Sequence, residues 1–442
     1  MKLANRRTFL RNAAGATAGV FSLPGLAAAV QATTSPYRRP KLKITDVRTA
    51  FITSQNIQLH VRIYTDQGLW GQGEATDAAI GGAAIINGLT SSKTRAAASQ
   101  QGIYFGGMRS SLIGKDPLNV DAIWEELRTG GIFAGAQGGQ YITALSAVEA
   151  ALWDLAGKAL GLPVYQLLGG KFRDRIRVYC DGAENERTTQ AKEYNQRIVE
   201  MGFTAVKTDI SYRYGAGGQE GQGGVGPVWT AKASDYGPMV DAVAFVRDFF
   251  PKNVDIAVDL HAGGDLGSGK RLAKKLEPFD LMWLEEPVPP ENIDAMRDIR
   301  ESTSTPICCG ENLFLRLGFR ELLEKRAVDI IMPDLQKVGG LLEGRKIADM
   351  AAAYYVPFAP HCCISPLGQM ASCHVCAAVP NFLALEWHWF PRLQQWREFV
   401  KEGEIIEKGY ITVPDRPGVG VEVNDEVAKK YMMPGTTWFE AV

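Results

Sequence analysis

Residues 254–265 read VDIAVDLHAGGD, an apolar run that ends at Val258 and is followed at once by Asp259. The pattern recurs along the chain: short runs rich in β-branched and aromatic residues end in a polar residue, and helix-like segments separate them. From residue 176 onward the run ends are Asp181, Lys207, Asp259, Glu285, Glu311, Asp334, His361 and Glu386.

The spacing of these run ends predicts the fold. Successive ends are 26, 52, 26, 26, 23, 27 and 25 residues apart, and one strand, one helix and two loops occupy about that length. The interval of 52 holds an additional insertion, because residues 215–226 are a glycine-rich loop. The spacing therefore counts eight β/α units, which predicts an α/β fold with a TIM barrel over residues 171–390. The strand ends then meet at one mouth, where such barrels carry their active sites.

The segments on either side of the barrel differ from it. Alternation over residues 57–64, followed by ThrAspGlnGly, predicts an antiparallel hairpin, and residues 143–160 have the apolar spacing of a helix. We therefore predict an α+β domain over residues 42–165. Residues 391–442 return to short β-like pieces and are expected to fold back onto that domain.

The composition of the chain narrows the classes of molecule that it is expected to bind. The chain has 442 residues, 46% of them hydrophobic and 22% charged, with a formal net charge of -1. Nucleic-acid binding would need a basic surplus that is absent, so a small molecule is the expected ligand.

The first 32 residues are typical of an export signal. Asn5-Arg6-Arg7-Thr8-Phe9-Leu10-Arg11 precedes a weakly apolar, alanine- and glycine-rich stretch that ends in small residues. The stretch is short and interrupted by Pro24, which argues against a stable membrane span. Residues 1–32 therefore resemble a twin-arginine signal, and we expect export, with the periplasm as destination. The alternative is a tail with a chance pair of arginines.

Three consecutive run ends are acidic: Asp259, Glu285 and Glu311. Buried together at a barrel mouth they would repel one another, and a divalent cation resolves that conflict. Three carboxylates suit a hard ion such as Mg²⁺ and leave coordination positions for substrate oxygens. We predict one Mg²⁺ per active site; the alternative is that each acid caps a helix or pairs with a lysine.

Two further run ends suit proton transfer. A carboxylate at Asp334 beside an imidazole at His361 would orient the ring and raise its basicity, which favours a general base. On the other side of the ring, the ammonium of Lys207 could stabilise a carboxylate or enolate oxygen.

The sequence Cys373-His374-Val375-Cys376 has the appearance of a metal or redox motif. It lies in an apolar helical stretch, and free cysteines commonly pack as small hydrophobic residues. Core packing is therefore favoured over a zinc or redox role.

From residue 42 onward, the chain resembles the enolase superfamily and, within it, the mandelate racemase subgroup. The resemblance is carried by residues 144–170 (ALSAVEAALWDLAGKALGLPVYQLLGG), 285–287 (EEP), 310–312 (GEN), 333–340 (PDLQKVGG) and 360–361 (PH). It implies a modified (β/α)8 barrel beneath an N-terminal α+β capping domain that the C-terminal segment completes. It also implies a homo-oligomer.

The resemblance implies roles for individual residues. Asp259, Glu285 and Glu311 would bind Mg²⁺, and His361 with Asp334 would abstract the proton α to a carboxylate, giving an enediolate. The resemblance also implies that Glu386 hydrogen-bonds the substrate carboxylate. Asp209, Asn312 and Tyr212 are further expected substrate contacts from the residues themselves. Trp387 and His388 could stack on or hydrogen-bond a sugar, and the alternative is aromatic packing under the cap. Racemases of the subgroup carry LysXLys at the second strand, whereas this chain has Lys207-Thr208-Asp209, which weakens a two-base racemisation.

His261 decides between two reactions. AspXHis at this place is similar to sugar-acid dehydratases of the galactonate type, in which the histidine protonates the departing β-hydroxyl. Gly263 and Gly264 are expected to let the loop turn, and Asp265 to cap the next helix. The predicted function is a sugar-acid dehydratase, a lyase that forms a 2-keto-3-deoxy acid from an aldonate or aldarate. The alternatives are a racemase or epimerase using the same enediolate chemistry, and a non-catalytic exported sugar-acid binding protein.

Overall fold

The computed structural model describes residues 39–53, 56–77, 79–88, 107–211 and 229–441. The predicted signal at residues 1–32, the glycine-rich segment 215–226 and Tyr212 lie outside the described residues. No helix within the described ranges combines the length and apolar character needed to cross a membrane.

The N-terminal sheet has three antiparallel strands, β1 (Ile44–Thr53), β2 (Ile57–Thr65) and β3 (Trp70–Ala75). The β2–β3 hairpin is the one that the alternation predicts. Among the described residues, five helices accompany this sheet: α1 (Ala79–Asn87), α2 (Met108–Leu112), α3 (Val120–Gly130), α4 (Gly139–Leu160) and α5 (Val164–Leu167).

Strand β3 lies directly on helix α4. A Cβ on Gly71 or Gly73 would stand 2.3 Å from a backbone oxygen of that helix, so only glycine permits the close approach. The apolar faces of the sheet and of α4 meet here and form the core of the capping domain.

Parallel strands form the barrel, and neighbours along the chain pair in order from β4 to β9. Strand β10 pairs with β4 and closes the ring. The strands are β4 (Arg175–Asp181), β5 (Ala205–Asp209), β6 (Asp255–Asp259), β7 (Trp283–Glu285), β8 (Ile307–Cys309), β9 (Ile330–Ile331) and β10 (Leu385–Trp387). The surrounding helices are α6 (Thr189–Glu200), α7 (Tyr236–Phe249), α8 (Leu266–Leu276), α9 (Ile293–Arg300), α10 (Leu315–Glu324), α11 (Leu341–Ala353) and α12 (Pro366–Ala378).

The seventh predicted unit is reduced to isolated bridges. Phe358 bridges Ile331 on one side and Phe382 on the other. Pro357 and Pro360 flank it, and because proline has no N–H to donate, a longer ladder cannot form there. The predicted barrel is confirmed with this modification.

The C-terminal segment joins the barrel to the capping domain. It contains β11 (Ile406–Glu407), β12 (Tyr410–Thr412), α13 (Leu393–Phe399) and α14 (Asp425–Ala428). Strand β12 pairs antiparallel with β4, and Asp425 lies 2.5 Å from the guanidinium of Arg62 on β2. The segment therefore folds back as expected.

Two buried carboxylates of the capping domain contact the beginnings of two barrel helices. Glu149 of α4 accepts hydrogen bonds from the backbone N–H groups of Leu341 and Leu342 at 2.7 and 2.9 Å. Glu74 of β3 accepts hydrogen bonds from the backbone N–H of Ser365 at 2.7 Å and from its hydroxyl group. Burial raises the pKa of each carboxyl to about 7. The N–H donors and the positive ends of α11 and α12 offset part of that cost. Cap and barrel are thereby held in register.

The contact between cap and barrel leaves no room for a side chain at Gly340. Its φ is +102°, and an added Cβ would stand 2.3 Å from a carboxylate oxygen of Glu149. We expect Gly340→Ala to destabilise the protein by roughly 1–3 kcal/mol more than Gly169→Ala. Gly169 is the matched control, since its φ is +112° and nothing lies within 4 Å of the added Cβ. Urea unfolding of both variants measures the difference, and equal losses would show that the close contact costs nothing.

Candidate active site

The carboxyl ends of neighbouring barrel strands bring acidic residues to one level. Asp209, Asp259 and Glu285 end β5, β6 and β7 and are register partners across the sheet. Glu311 follows β8 after Gly310 and lines a cavity of about 930 Å³ at the barrel mouth, which His261 and His361 also line. The predicted ligand set and the two predicted histidines therefore converge on one end of the barrel.

Lys207 lies among buried carboxylates and does not line the cavity. Its Nζ is 2.7 Å from Glu386, 3.1 Å from Asp259 and 3.2 Å from Glu285, with Asp181 at 3.9 Å. The side chain is only 2% exposed. Lys207 supplies the countercharge that these buried acids require, and its predicted contact with a substrate oxygen stays a prediction.

One ammonium does not balance these acids. Burial raises the pKa of Glu285 well above its usual range, the charge of Asp259 raises it further, and Lys207 only partly offsets the rise. Trp283 donates a hydrogen bond to the second oxygen of Glu285 at 3.0 Å. The oxygen donors on consecutive strands therefore fit a hard divalent cation, which would supply the missing charge.

A second set of possible ligands lies beside this one. Among the described residues, Asp181, Cys363, Glu386 and His388 offer ligand atoms within 4.8 Å of one another. Sulfur and imidazole donors suit softer ions than Mg²⁺. Because all of its donors are oxygens, the set of Asp259, Glu285 and Glu311 is the better candidate for Mg²⁺.

His361 and Asp334 form the predicted pair. Nδ1 of the ring lies 2.7 Å from Oδ2 of Asp334, and Nε2 lies 3.2 Å from Glu311 and 3.6 Å from Glu386. Burial lowers the pKa of His361, but the surrounding acids, Glu386 foremost, raise it well above the ordinary value. Because an ionised carboxylate only accepts, Asp334 fixes the proton on Nδ1 and leaves Nε2 for acid–base work.

His261 is held by a different arrangement. Its Nδ1 lies 3.2 Å from Asp209 and 3.3 Å from the hydroxyl of Ser211, and its backbone N–H donates to Asp259 at 2.8 Å. Asp209 thus contacts His261, and its predicted role in substrate binding stays a prediction.

The turn in the loop after β6 is made by His261 and Ala262 and not by the two glycines that were expected to make it. His261 and Ala262 have φ values of +45° and +57°, whereas Gly263 and Gly264 do not have positive φ. Gly264 is required for a different reason, since a Cβ there would stand 2.6 Å from the carbonyl oxygen of Pro287. Left-handed backbone at non-glycine residues is costly and concentrates at functional sites. Asp265 caps α8 as predicted, accepting the N–H of Ser268 at 2.9 Å.

The two remaining predicted substrate contacts, Asn312 and Trp387, occupy different places in the structure. Asn312 lines the cavity and donates to Glu286 at 2.9 Å and to Glu311 at 3.0 Å. Trp387 is fully buried and stacks on Phe203, so of its two expected roles the structure has aromatic packing and not the substrate contact. Side chains alternate along a strand, and because Glu386 of β10 faces the barrel interior, Trp387 must face the outer helices.

Two other residues at the barrel mouth, Glu286 and Lys337, were not predicted from the sequence. Glu286 is fully buried beside Glu285 and receives N–H donors from Gly310 and Asn312. Lys337 reaches Asp77 of the capping domain at 3.1 Å on the cavity wall. The motifs around residues 286 and 337 marked their neighbourhood, but no spacing rule distinguishes these side chains from ordinary surface charges.

The cysteine–histidine motif belongs to the core, as favoured. His374 accepts the N–H of Tyr165 at Nδ1 (3.1 Å), and its Nε2 lies 2.9 Å from the carbonyl oxygen of Val419. Cys373 and Cys376 are fully buried, and burial raises the pKa of both thiols. The motif therefore joins α12 to α5 and to the C-terminal segment.

His374 makes stability depend on pH. Burial lowers its pKa to about 4 in the folded protein from an ordinary value of 6.5. Unfolded chains take up the proton first, so this stabilisation is complete above pH 6.5 and is lost as the pH falls towards 4. Its size is about 3 kcal/mol. We expect His374→Gln to flatten the pH dependence of the unfolding free energy across that interval; an unchanged slope would contradict this assignment.

The fold and the site define a class of enzyme: a capped α/β barrel with acid–base residues beside a carboxylate cluster. Two family models match the chain, the mandelate racemase/muconate lactonizing enzyme N-terminal domain over residues 32–169 and the enolase C-terminal domain-like model over residues 189–427. The chain therefore belongs to the mandelate racemase/muconate lactonizing enzyme family of the enolase superfamily.

Individual relatives are consistent with this family assignment. A D-xylonate dehydratase from Haloferax volcanii is 40% identical over 401 residues, covering 90% of this chain and 91% of that protein. A D-galactonate dehydratase from Variovorax paradoxus is 32% identical and covers 87% and 93%. The crystal structure of a mandelate racemase/muconate lactonizing enzyme-like protein from Rubrobacter xylanophilus is similar, with a TM-score of 0.78, 38% identity and coverage of 91% and 100%. The expected enzyme class, a lyase of the sugar-acid dehydratase group, is confirmed at that level.

Proposed function

We propose that this protein is a Mg²⁺-dependent dehydratase that converts a sugar acid into a 2-keto-3-deoxy acid. The observation that carries the proposal is that two imidazoles, His361 and His261, line one cavity. They follow the seventh and third strand positions, which are opposite one another in a ring of eight. Each ring is held at Nδ1 by a carboxylate, an arrangement suited to separate acid and base tasks.

The proposed ligands of Mg²⁺ are Asp259, Glu285 and Glu311. Their support is the oxygen-only donor set on consecutive strands and the uncompensated charge around Glu285. When bound, the ion supplies positive charge that stabilises the negative charge developing on the substrate carboxylate. Lys207 favours the ionised form of its neighbouring acids, although it only partly offsets the raised pKa of Glu285. Its ion pair with Glu386 lies beside His361.

The proposed reaction needs two proton transfers. His361 removes the proton from C2, and His261 donates a proton to the C3 hydroxyl, which leaves as water. The C2–C3 enol that results then becomes the 2-keto-3-deoxy acid. Asp334 and Asp209 orient the two rings through Nδ1.

The relatives narrow the substrate class. The names of the two dehydratases cited above specify aldonates, D-xylonate and D-galactonate. We therefore propose an aldonate as the substrate, with D-xylonate as the first compound to assay. Formation of a keto acid from an aldonate library in the presence of Mg²⁺ tests the function, and no product from any member would favour a binding protein instead.

Export and assembly stay predictions. The twin-arginine signal at residues 1–32 and the homo-oligomer rest on the sequence and on the family resemblance.

A hydrogen-exchange experiment distinguishes dehydration from epimerisation. In D₂O, His261→Asn should still exchange the C2 hydrogen, because His361 and Asp334 are untouched. Keto-acid formation should fall by at least about 100-fold, because the leaving hydroxyl loses its proton donor. Nuclear magnetic resonance and a keto-acid assay measure the two steps.

The control is His361→Asn, which should lose both steps. Keto-acid formation by His261→Asn at a rate near that of the wild type would contradict the assignment of His261. Production of the C2 epimer without keto acid by the wild-type enzyme would instead establish the epimerase.

A further inference from the structure

A third imidazole lines the same cavity. His388 follows β10 by one residue, and its side chain is 37% exposed in the cavity that His261 and His361 also line. Its Nδ1 lies 2.8 Å from Oδ2 of Asp181, the last residue of β4. The other oxygen of Asp181 accepts the N–H of Gly182 at 2.7 Å, so the carboxylate is fixed in place.

This pair is built like the first. The Nδ1-to-carboxylate distance is 2.8 Å for His388 and Asp181 and 2.7 Å for His361 and Asp334. In both pairs the carboxylate and the imidazole stand at neighbouring strand positions, the sixth and seventh in one and the first and eighth in the other. The proposed dehydration uses only the first pair together with His261.

Two side chains, Asp181 and Cys363, lie against Nδ1 of His388. Burial lowers the pKa, but the neighbouring Cys363 and Asp181 raise it well above the ordinary value. The sulfur of Cys363 lies 3.0 Å from Nδ1. With Nδ1 turned towards Asp181, Nε2 is the nitrogen from which a proton can be delivered.

One step of the proposed reaction, protonation of the enol at C3, has no proton donor assigned to it. The position of His388 suits this step. His361 has accepted the C2 proton, and His261 has lost its proton to the departing hydroxyl. Conversion of the enol to the keto acid still requires a new C–H bond at C3 and loss of the proton on the C2 oxygen. His388 stands one strand position from His361, so it is on the same side of the ring.

We propose that His388, positioned by Asp181, donates the proton that forms the new C–H bond at C3. The N–H bond of the imidazolium breaks as the C3–H bond forms, while the C2 hydroxyl releases its proton to solvent water and becomes the ketone. This inference rests on the proposed dehydratase function.

The configuration of deuterium at C3 tests the proposal. In D₂O the wild-type enzyme should place one deuterium at C3 of the keto acid in a single configuration, because an enzyme group delivers it. With His388→Asn, C2–H cleavage and loss of water should continue. The enol should then be released and become ketone in solvent, so that deuterium appears equally in both configurations. Early product is analysed by nuclear magnetic resonance, before the keto acid itself exchanges.

Asp181→Asn is the second variant, since it leaves the ring of His388 in place. It should also lower the preference for one configuration, an effect that a purely structural loss of activity does not produce. Asp334→Asn is the matched control in the other pair and should slow C2–H cleavage while leaving the configuration of the remaining product unchanged.

Three results would overturn the inference. They are a single configuration retained by His388→Asn, loss of C2–H cleavage in both His388→Asn and Asp181→Asn, and equal configurations from the wild-type enzyme. Failure of the proposed function is a separate outcome, because the wild-type enzyme would then form no keto acid at all.

Discussion

The accumulation of buried negative charge at the barrel mouth is the constraint on which the rest of the structure depends. Asp259, Glu285 and Glu386 surround Lys207 within 3.2 Å, and the pKa of Glu285 remains raised despite that ammonium. Burying such charges is unfavourable unless countercharge is present. A bound cation would lower the cost of the cluster, which is high for a purely structural element.

The capping domain also contacts the barrel through buried carboxylates. Glu149 and Glu74 place carboxylates at the beginnings of α11 and α12, and the contact of Glu74 with Ser365 lies four residues beyond His361. Docking of the cap thus positions the segment that carries the proposed base. The fold and the chemistry are coupled through this segment.

Much of this could be predicted from the sequence because strand ends recur at a regular spacing. The positions of Asp259, Glu285, Asp334 and His361 follow from that spacing alone. What could not be predicted depends on contacts across the ring: the pairing of His388 with Asp181 requires that the eighth strand closes on the first. The outward orientation of Trp387 depends on the register of a three-residue strand, and the location of Lys207 depends on the combined charge of several strands.

The central claim is that the strand-end carboxylates hold one Mg²⁺, and calorimetric titration tests it directly. The account predicts one Mg²⁺ per chain for the wild-type enzyme and at least about 100-fold weaker binding for Glu285→Gln. Glu291→Gln removes an equal charge from the cavity wall and should bind Mg²⁺ within a few-fold of the wild type. Equal binding by wild type and Glu285→Gln, or no binding by the wild type, would contradict the account.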